Sequence, residues 1–180
     1  MRIVSRTAER VSLAQYRAGT TSFLSVVTAQ NLAAVQAAIA AKADDGTATD
    51  TLAKLQTLIS GINTAAASIG AAAEANTAVS LQVGDYTAAG VTGVTAQNLA
   101  AINDALNSGT PGDAASAAGV SGSEADTPTE IQAIVDAYNR ILGAADGNAT
   151  NNTSGAAVPS LADYQAVGVA NLDSAGADLL

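Results

Sequence analysis

Chemistry needs side chains that can carry it, and this chain holds no Cys, no His and no Trp. That removes thiol nucleophiles, imidazole bases, disulfide frameworks and the usual zinc and haem sites. Three groups of residues remain as candidates. Tyr16, Tyr86 and Tyr164 recur at one position of a repeated segment. A recurring aromatic could face a ligand, but in a core short of bulk it serves better as an anchor, ring inside and hydroxyl reaching water. Asp44-Asp45-Gly46, Asp146-Gly147-Asn148 and Asp113 raise the question of calcium. Calcium wants six to eight oxygens, and no Asp-x-Asp-x-Asp-Gly ladder with a closing Glu is present, so these read as turn residues. Gly84-Asp85 and Gly90-Val91-Thr92-Gly93 look superficially like a phosphate loop. Neither a Gly-Lys-Ser/Thr run nor G-x-G-x-x-G after a strand accompanies them. Asn151-Asn152-Thr153-Ser154 contains sequons, which would carry little meaning if the source were bacterial. Scattered Ser, Asp and Lys without a tuned base make no catalytic site. The expectation is a protein without catalytic, cofactor-binding or metal-binding residues and without a cofactor.

Composition points the same way. Of 180 residues, 44 are alanine and 16 glycine, with five aromatics. Alanine lifts the apolar fraction to 48% yet contributes little when buried. A buried Leu, Ile or Val supplies about 1.5–3 kcal/mol, so thin cores are expected rather than one large one. Residues 1–17 carry a net charge of +3 and the remainder −12, for −9 overall. An acidic surface of this kind repels phosphate backbones, which argues against nucleic acid as a partner. No run of 18 apolar residues occurs, so no membrane insertion is expected. Arg6, Glu9 and Arg10 follow Met1-Arg2-Ile3-Val4 too closely for a secretory signal. The absence of cysteine leaves the compartment open.

The elements that would position any of these residues are written as a repeat. Thr28-Ala29-Gln30-Asn31-Leu32-Ala33-Ala34 recurs unchanged as Thr95-Ala96-Gln97-Asn98-Leu99-Ala100-Ala101, an offset of 67 residues. Asp50-Thr51, Leu55-Gln56, Leu58-Ile59 and Asn63 are answered by Asp126-Thr127, Ile131-Gln132, Ile134-Val135 and Asn139, an offset of 76. The second copy therefore holds nine extra residues, among the Gly, Ser and Ala of 108–123. A third copy opens at Pro159, where Asp163-Tyr164-Gln165-Ala166-Val167-Gly168-Val169 matches Asp85-Tyr86-Thr87-Ala88-Ala89-Gly90-Val91. Self-similarity on this scale marks one supersecondary unit per copy.

Each copy reads as three helices. The first is short, capped in the third copy by Ser160 with Asp163 in the capping-box position, and ended by a left-handed Gly90 or Gly168. The second begins at Thr95 and aligns Leu99, Ile102 and Leu106 on one face. The third starts at Thr127-Pro128-Thr129-Glu130 and carries the stripe Ile131, Ile134, Val135, Tyr138, Ile141 and Leu142 to a stop at Gly143. In the first copy Leu52, Leu55, Leu58, Ile59 and Ile62 do the same after an Asp50 or Thr51 cap. Alanine-rich residues 64–79 extend that helix, and Gly143 to Val158 reads as a flexible linker. The fold expected is all-α, with small three-helix modules in tandem joined by Ala/Gly/Asn-rich linkers. The divisions are 1–27, an N-terminal segment with a divergent first helix; 28–79, repeat 1; 80–143, repeat 2; 144–158, linker; and 159–180, the start of a truncated repeat 3. Adjoining modules are expected to touch little.

The pattern Asp-Tyr-x-Ala-x-Gly-Val, Thr-Ala-x-Asn-Leu-Ala-Ala-Ile-Asn, Asp-Thr-x-x-Glu-Ile-Gln-Ala-Ile-Val-Asp-Ala resembles repeats of very large bacterial cell-surface adhesins and biofilm-associated proteins. Residues 84–142 carry it best, with 28–63 and 159–180 in part. The helix order is also similar to the albumin-binding GA module of bacterial surface proteins. That module binds through aromatic residues near the turn into its second helix, where Thr92, Gly93, Val94 and Thr95 offer none. Residues 6–30, from Arg6-Thr7-Ala8-Glu9-Arg10 to Leu13-Ala14-Gln15-Tyr16-Arg17-Ala18-Gly19-Thr20-Thr21-Ser22-Phe23-Leu24 and beyond, weakly resemble a segment of outer-membrane efflux factors. The same residues also parallel the first helix of the repeat, because Tyr16-Arg17-Ala18-Gly19 matches Tyr86 to Gly90 one residue shorter. The adhesin resemblance implies non-catalytic spacer repeats, secreted or at a bacterial cell surface, with neighbouring repeats of a longer chain and a host or matrix protein as partners. A host-protein binding module of the albumin type and a fragment related to an efflux factor are the alternatives.

Overall fold

The computed structural model describes residues 27–43, 45–109, 120, 122–145 and 158–169. The described chain is helical, without strands, as the periodicity requires. Six α-helices follow in order: α1 Leu32–Ala40, α2 Leu52–Glu74, α3 Val83–Ala88, α4 Leu99–Leu106, α5 Pro128–Ala144 and α6 Leu161–Ala166. Two 3-10 turns, Ala78–Ser80 and Gly122–Glu124, lie between them. No described helix is long and apolar enough to cross a membrane.

Local chemistry sets the helix ends. Thr51 opens α2 by accepting from the Lys54 N–H at 3.3 Å. Thr127 and Glu130 close a reciprocal capping box at the start of α5, with Pro128 in its first turn. Gln82 with Asp85 and Ser160 with Asp163 do the same for α3 and α6. At the other end of α3, Gly90 has φ +75. The Gly90 N–H donates to the Thr87 carbonyl and the Val91 N–H to the Tyr86 carbonyl, the paired bonds of a Schellman stop. Gly168, at φ +85, repeats both bonds with Gln165 and Tyr164. A similar stop ends α2, with Asn76 as the left-handed residue at φ 51.

Two helix boundaries differ from the sequence expectation. The second helix of the second copy begins at Leu99 rather than Thr95, since Thr95 to Asn98 form a turn that folds back on Asn98. Gly143 does not stop α5, which runs on through Ala144. Nothing forces the chain to turn at Gly143, and its left-handed option goes unused. The apolar stripe is also shorter than drawn, because Leu52 and Leu142 are exposed.

The cores depart furthest from the expectation. Among the described residues one cluster holds Ala34, Val35, Ile59 and Ile62, from α1 and the first half of α2. The other gathers Ile69 and Ala73 from the second half of α2 with Tyr86, Ile102, Leu106, Ile131 and Val135, and reaches Val167 beyond α6. One 23-residue helix therefore serves both cores. The expectation that adjoining modules touch little is overturned. Alanine-rich residues prolong α2 as far as Glu74, short of the expected 79, but small side chains also let other backbone come close. A Cβ on Gly70 would sit 2.8 Å from Asp126 Cβ and 2.9 Å from the Gly122 carbonyl oxygen. Gly70 gives up about 1 kcal/mol of helix propensity and in return admits the 122–126 segment against α2.

Candidate functional site

The asparagines that recur between copies meet at joints between helices. In the first copy the Thr28 N–H donates to Asn31 Oδ1 at 2.8 Å, and Asn31 Nδ2 donates to Asn63 Oδ1 at 2.8 Å. In the second copy the Thr95 N–H donates to Asn98 Oδ1 at 2.7 Å, and Asn98 Nδ2 donates to Asn139 Oδ1 at 2.7 Å. Asn98 and Asn139 also both donate to the Gly93 carbonyl. The recurring Thr-Ala-Gln-Asn run is thus a lock between the second and third helices of each copy. Asn31 and Asn98 are buried, and a buried amide left unpaired would cost about 1–3 kcal/mol.

A second set of contacts joins the copies to each other. Thr129, in the first turn of α5, donates both its N–H and its hydroxyl to the Gln30 carbonyl at the entry to α1. Gly90 packs on α1 so closely that an added Cβ would lie 2.5 Å from Ala34 Cβ. Within the second copy, Gln132 reaches back from α5 to Thr92, accepting from its N–H at 2.8 Å and donating to its carbonyl at 3.1 Å. Between α1 and α5 an open groove of about 560 Å³ is lined by Ala33, Ala37, Pro128 and Ala133, with Asp136 at one side. Arg140 of α5 and Asp163 of α6 form an ion pair that ties the third copy to the second.

Electrostatics separates the carboxylates in these joints. Burial pushes the Asp163 carboxyl up, but the N–H and hydroxyl of Ser160 and the Arg140 guanidinium outweigh it and hold it below the usual range. Asp126 goes the other way, raised by burial and by the neighbouring Glu130. Burial, and then the charge of Asp85, push the Tyr86 phenol well above its ordinary value.

The candidates from the sequence fall out as follows. Tyr86 is fully buried, but its hydroxyl does not reach water. It donates to Asn103 Oδ1 at 2.6 Å, and Asn103 Nδ2 donates to the Leu81 carbonyl at 3.0 Å. Tyr164 is half-buried, and Tyr16 lies outside the described residues. Asp45 accepts from both the N–H and the hydroxyl of Thr47, which lowers its pKa, and Gly46 is left-handed; this is a turn. Asp85 is occupied in the α3 capping box, and Gly90 to Gly93 form the exit from α3. Asp44, Asp113, Asp146 to Asn148 and Asn151 to Ser154 lie outside the described residues, as do most of the 144–158 linker and residues 170–180. Among the described residues no three acidic side chains converge as metal ligands would.

Sequence reasoning missed Asn103, Gln132 and the Arg140–Asp163 pair. For the Asn31 and Asn98 locks the signal was in plain view, since Asn63 and Asn139 already matched in register. No protein-family model, curated protein or solved structure matches this chain.

Proposed function

We propose that the chain is a non-catalytic structural stretch of a bacterial surface adhesin, in which helical modules in tandem act as a spacer outside the cell. One observation carries this reading. The asparagines kept identical between copies are spent on internal joints, because the Asn31–Asn63 and Asn98–Asn139 locks occupy equivalent places. The Schellman stop at Gly90 adds to it, since it turns the chain out of a short helix toward the next one. In this function the joints between copies resist bending, and the acidic surface keeps the array extended and soluble.

Residues 81–158 span one period, as the step from Tyr86 to Tyr164 shows. Chains carrying that block once, twice and three times would be compared by small-angle scattering. A spacer gains a constant increment in maximum dimension with each added block. Growth only at the slow pace of a compact globule, roughly the 0.38 power of chain length, would defeat the proposal.

A further inference from the structure

The two copies of the second helix differ in one respect that their sequences do not announce. At the offset of 67 residues, Leu32, Gln36 and Ile39 of α1 stand where Leu99, Asn103 and Leu106 stand in α4. The opposite faces match, with Val35 and Ile102 both buried. The faces in question do not. Leu106 is 0% exposed and Asn103 3%, whereas Ile39 is 39% and Leu32 44% exposed, and Gln36 is exposed with them. In the second copy that face is closed by residues 78–91. Tyr86 and Leu81 hold Asn103, and the Ala78 N–H donates to Asn107 Oδ1 at 2.9 Å.

The sequence of the missing cover is present just upstream of α1. Ser12-Leu13-Ala14-Gln15-Tyr16-Arg17-Ala18 shares five of seven residues with Ser160-Leu161-Ala162-Asp163-Tyr164-Gln165-Ala166. In α6 Ser160 is the N-cap and Asp163 its box partner, and Gln15 holds the same place, where glutamine also serves. Gly19 follows as Gly168 does, one residue sooner. Residues 12–19 lie outside the described residues.

We propose that the Leu32–Gln36–Ile39 face is the seat for residues 12–19 of the same chain, with the Tyr16 hydroxyl donating to the Gln36 side-chain carbonyl. The inference rests on the repeat reading and deepens it, since it makes the first copy complete within this chain. Reach is not limiting, because Gly19 is farther in sequence from Asn31 than Gly90 is from Asn98. Tethering favours this occupant over a second copy, because a short covalent link holds it at an effective concentration on the order of millimolar.

Amide hydrogen exchange on the full chain tests the seat, with Tyr16→Ala and Ile39→Asp made separately and sedimentation velocity run alongside. Each variant is expected to speed exchange across residues 32–40 by about tenfold or more, with residues 128–144 unchanged. Unaltered exchange in Tyr16→Ala would overturn the proposal. So would protection of residues 32–40 that rises with protein concentration alongside a dimer, since a second copy would then be the occupant. Neither outcome touches the spacer reading, which is decided by the dimensions of chains lengthened at residues 81–158.

Discussion

Thr28–Ala34 and Thr95–Ala101 are the same seven residues in two different surroundings. The first run leads into a helix whose core contacts are Ala34 and Val35 against Ile59 and Ile62. The second leads into a helix closed on several sides, by Tyr86 and Leu81, by the second half of α2 and by α5. Identical sequence therefore produces identical locks but not identical cores. The lock is local, since its partners come from the motif and the matched asparagine on the third helix. The core is shared, since α2 ends inside the second cluster. Part of what fills the second core is supplied from outside its own repeat, by Ile69 and Ala73 of α2.

The largest expected effect breaks that sharing. Ile69→Ala truncates a fully buried side chain and should cost about 2–5 kcal/mol. Urea denaturation followed by hydrogen exchange should show α4 and α5 losing protection, although residue 69 belongs to the first copy. Protection lost only within α2 would mean the copies are independent after all.

A somewhat smaller effect is expected at the contact between Gly90 and α1. Gly90→Ala meets a left-handed backbone, at about 1–2 kcal/mol, and also overlaps Ala34, for about 2–4 kcal/mol in sum. Repeating the substitution in an Ala34→Gly background should return the overlap and leave the backbone strain. A double-mutant cycle of melting curves reads the coupling directly, and a zero coupling would contradict the packing of Gly90 on α1.

Asn98→Ala sharpens the comparison further. It takes the lock's donor from Asn139 Oδ1 and its acceptor from the Thr95 N–H and should cost about 1–3 kcal/mol. Asn31→Ala should lower the stability of the α1–α2 contact, with exchange in α4 and α5 little changed. Equal responses throughout the chain to both variants would erase the distinction between a local lock and a shared core.

The smallest effect is the pH response of the two shifted carboxylates, which have opposite signs. Asp163 is lowered by folding, so its contribution is present above the unfolded carboxylate pKa and is lost as pH falls through the lower folded value. Asp126 is raised by folding, so its contribution is complete below the unfolded pKa and is lost as pH rises through the higher folded value. Acid titration should therefore loosen α6 from α5 first, read as exchange in residues 161–169. Asp163→Asn should flatten that response, and Asp126→Asn should raise stability slightly at neutral pH.

Much of this organisation was legible in the sequence, and the parts that were not share a physical cause. Caps and stops were readable because their chemistry is local: Thr127 with Glu130, Ser160 with Asp163, and the left-handed Gly90 and Gly168 all bond within a few residues. The alanine-rich extension of α2 followed from helix propensity. Its destination did not, because Ile69 and Gly70 reveal their partners only once residues 122–126 fold back over them. The same holds for Tyr86. Its burial follows from the scarcity of aromatics, but the amide that takes its hydroxyl lies 17 residues away on another helix. Of the joints, the asparagine locks could be inferred from the repeat register, whereas Arg140–Asp163 joins residues from two copies that no single-copy pattern pairs.

The continuity of α2 has a mechanical consequence. A helix of 23 residues is about 35 Å long, and it enters one core at one end and another core at the other. Modules joined by slack linkers, when pulled from their ends, rupture one at a time and give a sawtooth of separate force peaks. Here load entering one core passes along α2 into the next, so pulling α2 loose strips side chains from both. The two copies should then yield in a single event at higher force, and up to that force the stretched pair would behave as one stiff rod.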